Sequence, residues 1–207
     1  MTPLRGLYAI TSDALGHSRD LLVGLVAEAI AGGAIAIQYR DKDREPHLRK
    51  ANAKALANLC RVRGVPLIIN DDPSLAADIG ADGVHIGCGD ASIVEARRIV
   101  GDRSIVGVTC SNSMERAIAA ADAGASYIAI GRFFPWRTKP DAPAASIELL
   151  QAVRARVRVP ICAIGGIAPA HVDELLAAGA DLVAAIDGVF GAVDVRTAAA
   201  AYAACFS

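Results

Sequence analysis

The chain has little of what many specialised proteins require. Aromatic residues make up 4% of its 207 positions, and the five cysteines, Cys60, Cys88, Cys110, Cys162 and Cys205, include no close pair. An odd, dispersed set suits neither a disulfide framework nor a thiolate zinc site, so small, reduced, buried side chains are the simplest reading. Cys88 and Cys110 follow strand-like runs and could be read as catalytic thiols, but neither has a sequence signal for a partner base. An excess of one charge is also missing: 21 Lys and Arg stand against 22 Asp and Glu, and the basic residues are scattered. That removes the electrostatic footprint of a nucleic-acid binder and favours a small-molecule partner. No apolar run reaches the roughly 18 residues of a membrane span, and no basic-then-apolar signal opens the chain. A soluble, cytoplasmic protein with no nucleic-acid or membrane partner is expected, and a homo-oligomer stays open.

What is present is one repeated phrase. Ala31-Gly32-Gly33-Ala34, Ile79-Gly80-Ala81-Asp82, Ala123-Gly124-Ala125-Ser126 and Ala178-Gly179-Ala180-Asp181 each end a helical pattern on glycine and lead into a short apolar run. Such runs read as strands buried on both faces. Further strands are expected at Leu7 to Ile10, Leu67 to Ile69, Ile105 to Val108 and Ile161 to Ile164, giving about eight strands separated by helices. No Gly-x-Gly-x-x-Gly turn follows the first strand, which argues against an open doubly wound sheet. With a composition that is 54% hydrophobic, the chain is expected to form a single α/β domain over residues 1–207, a (β/α)8 TIM barrel. The alanine-rich tail from Thr197 to Cys205 reads as a final packing helix.

Charge collects where the apolar runs stop. Gln38-Tyr39-Arg40-Asp41-Lys42 closes one run and Asn70-Asp71-Asp72 the next, and in such barrels the carboxyl ends of the strands carry the chemistry. Alternation puts Gln38, Arg40 and Lys42 on one face, a cradle for phosphate oxygens, with Tyr39 and Asp41 directed elsewhere along the same segment. A solvated charged loop is the competing reading. Asp71, and Asp90 after the strand from Gly83 to Ile86, offer hard oxygens suited to magnesium, although Asp72 and Asp90 could equally cap helices. His85 reads as a core histidine or one that supports the site; His17, His47 and His171 read as surface residues. Gly165-Gly166, and Gly188 after the eighth strand, allow backbone amides to approach a second phosphate. The stretch from Arg132 to Ala145 holds the only Trp and three prolines, and could cover the site as a lid or stand as a structural arm.

In combination, Gly6-Leu7-Tyr8-Ala9-Ile10-Thr11, Gln38 to Lys42, Ile68-Ile69-Asn70-Asp71, Gly80 to Gly87, Thr138-Lys139-Pro140-Asp141-Ala142-Pro143 and Ala163-Ile164-Gly165-Gly166-Ile167 resemble the thiamine-phosphate synthase family along nearly the whole chain. The resemblance implies the joining of a pyrimidine diphosphate to a thiazole phosphate with release of pyrophosphate, and magnesium as cofactor. It implies that the segment from Gln38 to Lys42, Tyr39 and Asp41 included, and Asn70 bind the pyrimidine diphosphate. Asp71 and Asp90 would ligate magnesium, Arg40, Lys42 and Lys139 would act on the diphosphate, and Thr109 would lie near the substrate. Trp136, Arg137, Thr138, Gly166, Ile186 and Asp187 match the thiazole-phosphate end.

Departures from the family pattern gather at that end. Trp136 stands in place of a usual threonine, Asp187 in place of a serine, and Cys88-Gly89 in place of Gln-Glu. A carboxylate facing a phosphate is repulsive unless it turns away or meets a cation such as Arg137. Rival readings are a thiazole tautomerase, a non-catalytic sensor of thiamine precursors, and a Schiff-base aldolase using Lys42 or Lys139.

Overall fold

The computed structural model describes residues 4–87, 91–135 and 144–206. Eight strands run β1 (Gly6–Ile10), β2 (Ala34–Tyr39), β3 (Leu67–Asn70), β4 (Gly83–Ile86), β5 (Ile105–Ser111), β6 (Tyr127–Gly131), β7 (Ile161–Ile164) and β8 (Leu182–Ala185). Between and after them lie α1 (Arg19–Ala31), α2 (Pro46–Arg63), α3 (Pro73–Ile79), α4 (Ile93–Val100), α5 (Met114–Asp122), α6 (Ile147–Arg156), α7 (Val172–Ala177), the single turn α8 (Asp187–Phe190) and α9 (Val195–Ala203). Each strand pairs in parallel with its neighbours in chain order, and β8 pairs with β1 to close the barrel. The expected (β/α)8 architecture is therefore the observed one.

Strand periodicity divides the apolar residues into two sets. Tyr8, Ala36, Ile68, Ile105, Tyr127, Cys162 and Leu182 fill the inside of the barrel. Their neighbours, such as Leu7, Ile37, Ile69, Val84, Val106 and Ile128, face outward and pack beneath the helices with Leu22, Leu56 and Leu150, all essentially without exposure. Each such aliphatic side chain removed from water stabilises the fold by about 1.5–3 kcal/mol. The helix starts are prepared locally: Ser18, Asp72, Ser92, Ser113, Ser146 and Asp194 each accept a hydrogen bond from an amide in the first turn that follows. Asp72 thus takes the capping role, and the cap of α4 is Ser92, reinforced by Glu95.

The repeated phrase does more than stop helices. In three of its four copies the last residue reaches back to an amide at the start of the preceding strand: Asp82 Oδ2 accepts from Leu67 N–H at 2.9 Å, Ser126 Oγ from Val106 N–H at 3.0 Å, and Asp181 Oδ2 from Ile161 N–H at 2.9 Å. Each of these strand starts is tied to the strand before it at the end of the barrel where the strands begin. Arg154 reinforces the last tie with an ion pair to Asp181 at 2.9 Å. No helix among the described residues is long and apolar enough to cross a membrane.

Replacing Asp82 with Ala removes one acceptor and leaves the Leu67 amide without it. The expected cost is about 1 kcal/mol, read as a lower urea midpoint with an unchanged slope; an unmoved midpoint would show that the tie contributes nothing.

Candidate active site

The carboxyl ends of all eight strands surround a cavity of about 410 Å³. Inward alternation from β2 brings Gln38, Arg40 and Lys42 to its wall, as the spacing predicted, and Asn70 and Asp71 follow from the end of β3. His85 and Gly87 after β4, Thr109 from β5, Gly165 and Gly166 after β7, and Ile186 and Gly188 after β8 complete much of the rim. Among the described lining residues Arg40, Lys42 and Arg132 are cationic and Asp71 is anionic, a balance that draws in anions.

The cations are held rather than loose. Arg40 Nη1 donates to Asp13 Oδ2 at 2.6 Å, and the other Asp13 oxygen accepts from the Lys42 backbone N–H at 2.7 Å. Partial burial would raise the Asp13 pKa, but the Lys42 amide and the Arg40 guanidinium outweigh it and hold the carboxyl below its usual range. Thr11 adds a second clamp: its Oγ1 accepts from Arg40 N–H at 3.0 Å. Lys42 Nζ lies 2.7 Å from Asp71 Oδ2. Asp71 itself sits in the left-handed backbone region at φ 61°, a sparsely populated conformation for a residue with a side chain and one that gathers at functional sites. Its amide donates to the His85 carbonyl at 2.8 Å, which fixes the turn at the strand end.

The structure separates other expected residues from the cavity. Tyr39 and Asp41 point behind the strand: the Tyr39 hydroxyl donates to Asp41 Oδ2 at 3.0 Å, and Arg44 Nε donates to the same oxygen at 2.7 Å. Both are buried and neither lines the cavity, as the alternation describes. Asp187 is exposed at the start of α8 and is not a lining residue, whereas Ile186 and Gly188 on either side are. Asp90, Trp136, Arg137, Thr138 and Lys139 lie outside the described residues, as do Cys88 and most of the expected lid.

His85 is buried, and burial lowers its pKa to about 4, so it is the neutral imidazole at neutral pH. Cys110 and Cys162 are buried thiols, and burial pushes Cys162 up; neither has the character of a nucleophile. His171 departs from the surface role expected of it. Its ring stacks on Phe134 with centroids 3.8 Å apart, and its Nδ1 accepts from Ala168 N–H at 3.1 Å, anchoring the start of the 132–145 segment to the β7 loop. Asp13 is the functional candidate that the sequence reading missed. One polar residue after the Thr11-Ser12 turn looks like a helix start, and only its position beside a strand-end arginine could have marked it.

A closed parallel barrel whose strand ends present cations, a carboxylate and glycine-lined backbone to a polar cavity has the make-up of a (β/α)8 enzyme for phosphorylated small molecules. Residues 7–189 match the family described as thiamine monophosphate synthase. The chain is similar to the thiamine-phosphate synthase of Methylococcus capsulatus, at 49% identity over 197 residues, covering 95% of this chain and 87% of that one. With the synthase of Nitrosococcus oceani it shares 50% identity over 199 residues, 96% of this chain and 91% of that one. Among solved structures it resembles the thiamine phosphate pyrophosphorylase from Pyrococcus furiosus, with TM-score 0.87, 34% identity and coverage of 97% and 95%. A 3-hexulose-6-phosphate synthase at 19% identity and TM-score 0.70 shares the fold alone. The chain belongs to the thiamine monophosphate synthase family.

Gly166 and Gly80 allow a controlled test of the cavity rim. Both have φ near +65°, but a Cβ on Gly166 would lie 2.6 Å from the Pro135 carbonyl oxygen and 2.8 Å from that of Phe134, whereas at Gly80 it meets nothing within 4 Å. Backbone strain is common to both, so Gly166→Ala is expected to lose about 1–3 kcal/mol more than Gly80→Ala from the collision with the β6 loop. Equal losses in chemical denaturation would show that the loop is not pressed against Gly166.

Proposed function

We propose that this protein acts as a thiamine-phosphate synthase. It joins 4-amino-2-methyl-5-(diphosphooxymethyl)pyrimidine to 4-methyl-5-(2-phosphooxyethyl)thiazole and releases pyrophosphate; with the carboxylated form of the thiazole, carbon dioxide leaves as well. The observation that carries the reading is the convergence of Gln38, Arg40, Lys42, Asn70 and Asp71 on one side of the cavity. Its relatives share about half their residues with this chain along almost its full length.

In this reading Arg40 and Lys42, with Lys139, grip the diphosphate, while Gln38, Asn70 and Thr109 orient the pyrimidine. Gly166 and Ile186, with Trp136, Arg137 and Thr138, receive the thiazole phosphate; Asp187 acts at the edge of that end rather than on the anion. Asp71 and Asp90 hold magnesium. The fit of Asp71 rests on its chemistry: a hard carboxylate on the rim whose Oδ2 already attracts the Lys42 ammonium at 2.7 Å, as it would a cation with a preference for oxygen. Magnesium, when bound, supplies Lewis-acid neutralisation of phosphate charge.

The carbon–oxygen bond to the diphosphate breaks with its electron pair leaving on oxygen, so negative charge grows on the leaving group. Arg40 and Lys42 stabilise that charge more in the transition state than in the bound substrate, and Lys42 exchanges its Asp71 partner for phosphate oxygens. Electron donation from the aminopyrimidine spreads the positive charge on the methylene, and the thiazole nitrogen closes the new carbon–nitrogen bond. With the decarboxylated thiazole no proton transfer is required. His85 agrees with this, being buried, neutral and engaged through both ring nitrogens. The reading treats residues 1–207 as one catalytic domain working in the cytoplasm on charged phosphate esters.

Purified protein mixed with both substrates and magnesium is expected to form thiamine phosphate and pyrophosphate in equal amounts. Asp71→Ala is expected to lower turnover by about 100-fold or more, with unchanged circular dichroism. Binding of the pyrimidine diphosphate without any turnover by the wild type would overturn the synthase and identify a sensor.

A further inference from the structure

Five polar side chains, four of which line the cavity, form one continuous hydrogen-bonded chain, and the roles above account for only its two ends. Gln38 Nε2 donates to the Tyr8 hydroxyl at 2.8 Å, and the Tyr8 and Tyr127 hydroxyls are 2.8 Å apart. The Tyr127 hydroxyl lies 2.8 Å from His85 Nδ1, and His85 Nε2 lies 2.7 Å from Thr109 Oγ1. The two tyrosine rings meet edge to face, and the His85 ring stacks on Tyr127. Gly107 leaves the room this needs, since a Cβ there would lie 2.0 Å from the Tyr127 ring.

The first link has a fixed direction: an amide nitrogen only donates, so the Tyr8 oxygen accepts from Gln38. Keeping every proton inside the chain then has Tyr8 donate to Tyr127. Tyr127 accepts there and must donate to His85 Nδ1. A ring nitrogen that accepts carries no proton, so His85 is neutral with its proton on Nε2, and Thr109 Oγ1 is its acceptor. At one end the Gln38 Oε1 is left as the amide atom outside the chain; at the other the Thr109 proton points away from His85. Running the chain backwards would require the Gln38 amide to be turned over and the His85 proton to move to Nδ1, so one observable distinguishes the two.

We propose that Tyr8, Tyr127 and His85 are positioning residues that fix the polarity of the cavity wall, holding Gln38 with its carbonyl oxygen toward the ligand and thereby selecting a pyrimidine that presents an amine over one that presents an oxo group. An amine donates to a carbonyl oxygen; an oxo group at the same place sets two acceptors against each other, and a polar site rejects such a mismatch far more strongly than an apolar one. The selection matters to this wall because Gln38 is almost fully buried, at 3% exposure; there, water cannot repair an unmatched pair. Turning the amide over is opposed by the whole chain, because it would leave two oxygen acceptors facing each other at Tyr8 unless all five groups reversed together. The identity of the ligand in this proposal rests on the synthase reading; the direction of the chain does not.

The test has three arms. Nitrogen-15 NMR of the ligand-free wild type is expected to show His85 as the Nε2–H tautomer, and Tyr127→Phe, which removes the donor to Nδ1, is expected to mix the tautomers. Calorimetry and turnover with the 4-amino pyrimidine diphosphate and its 4-oxo counterpart are expected to favour the amine. In Tyr127→Phe and in Tyr8→Phe that preference is expected to fall by about tenfold or more, with the KM for the thiazole phosphate unchanged. A proton on His85 Nδ1 in the wild type would overturn the proposal, as would a preference for the amine that survives in both variants. Selective binding of the amine by the wild type without turnover would remove the synthase reading and leave the polarity of the wall standing.

Discussion

Barrel closure is the constraint on which the rest of this molecule depends. Eight parallel strands that close on themselves must point every second side chain at a common axis, and the closed ring brings together residues distant in the chain. Gln38, Asn70, His85 and Thr109 occupy inward positions on successive or nearby strands, so they line one cavity without any loop having to carry them there. Below them the same alternation packs Ala36, Ile68, Ile105 and Leu182 into a floor that excludes water. Polar groups set above such a floor must find partners among themselves, and the five-membered chain from Gln38 to Thr109 meets that requirement.

The mouth of the barrel follows a different rule. There the charged groups are half exposed and pair in a way that keeps each cation in place while leaving the cavity attractive to anions. Asp13, which does not line the cavity, clamps Arg40 and the Lys42 backbone, whereas Asp71, which does, meets the Lys42 ammonium. These pairs contribute little to stability, since partly exposed ion pairs are worth about 0–1 kcal/mol. Their effect is to order long side chains before an anion arrives, which lowers the entropic cost of binding. The ordered cations at the ends of β2 and β3 suit the diphosphate end in the proposed reading.

Much of the fold was readable because its signals are local. An apolar run of four or five residues after a helix-stopping glycine announces a strand, and Gly83–Ile86 and Ile161–Ile164 were placed to the residue. The charged ends of β2 and β3 were readable for the same reason, since a burst of polar residues after an apolar run marks a strand end. Alternation alone placed Tyr39 and Asp41 off the cavity, and the segment-wide expectation that included them gave way to it. Asp13 escaped notice because an aspartate after a turn has an ordinary local explanation. The second role of the repeated phrase, by which Asp82 and Asp181 tie strand starts together, was hidden because its partners lie 15 and 20 residues earlier in the chain.

By itself the sequence determined the order and type of the elements, the residues that face inward, and the chemical character of the strand ends, because each depends on neighbours within a few positions. Only the tertiary structure decided which of those residues meet. Tyr8 and Tyr127 are 119 positions apart and touch because the closed ring aligns strands from opposite parts of the chain. In the proposed arrangement the tautomer of His85 and the facing of Gln38 depend on that contact. A proton's position is set by the partner at the other end of the bond, and here the partner is supplied by closure of the barrel rather than by the local chain.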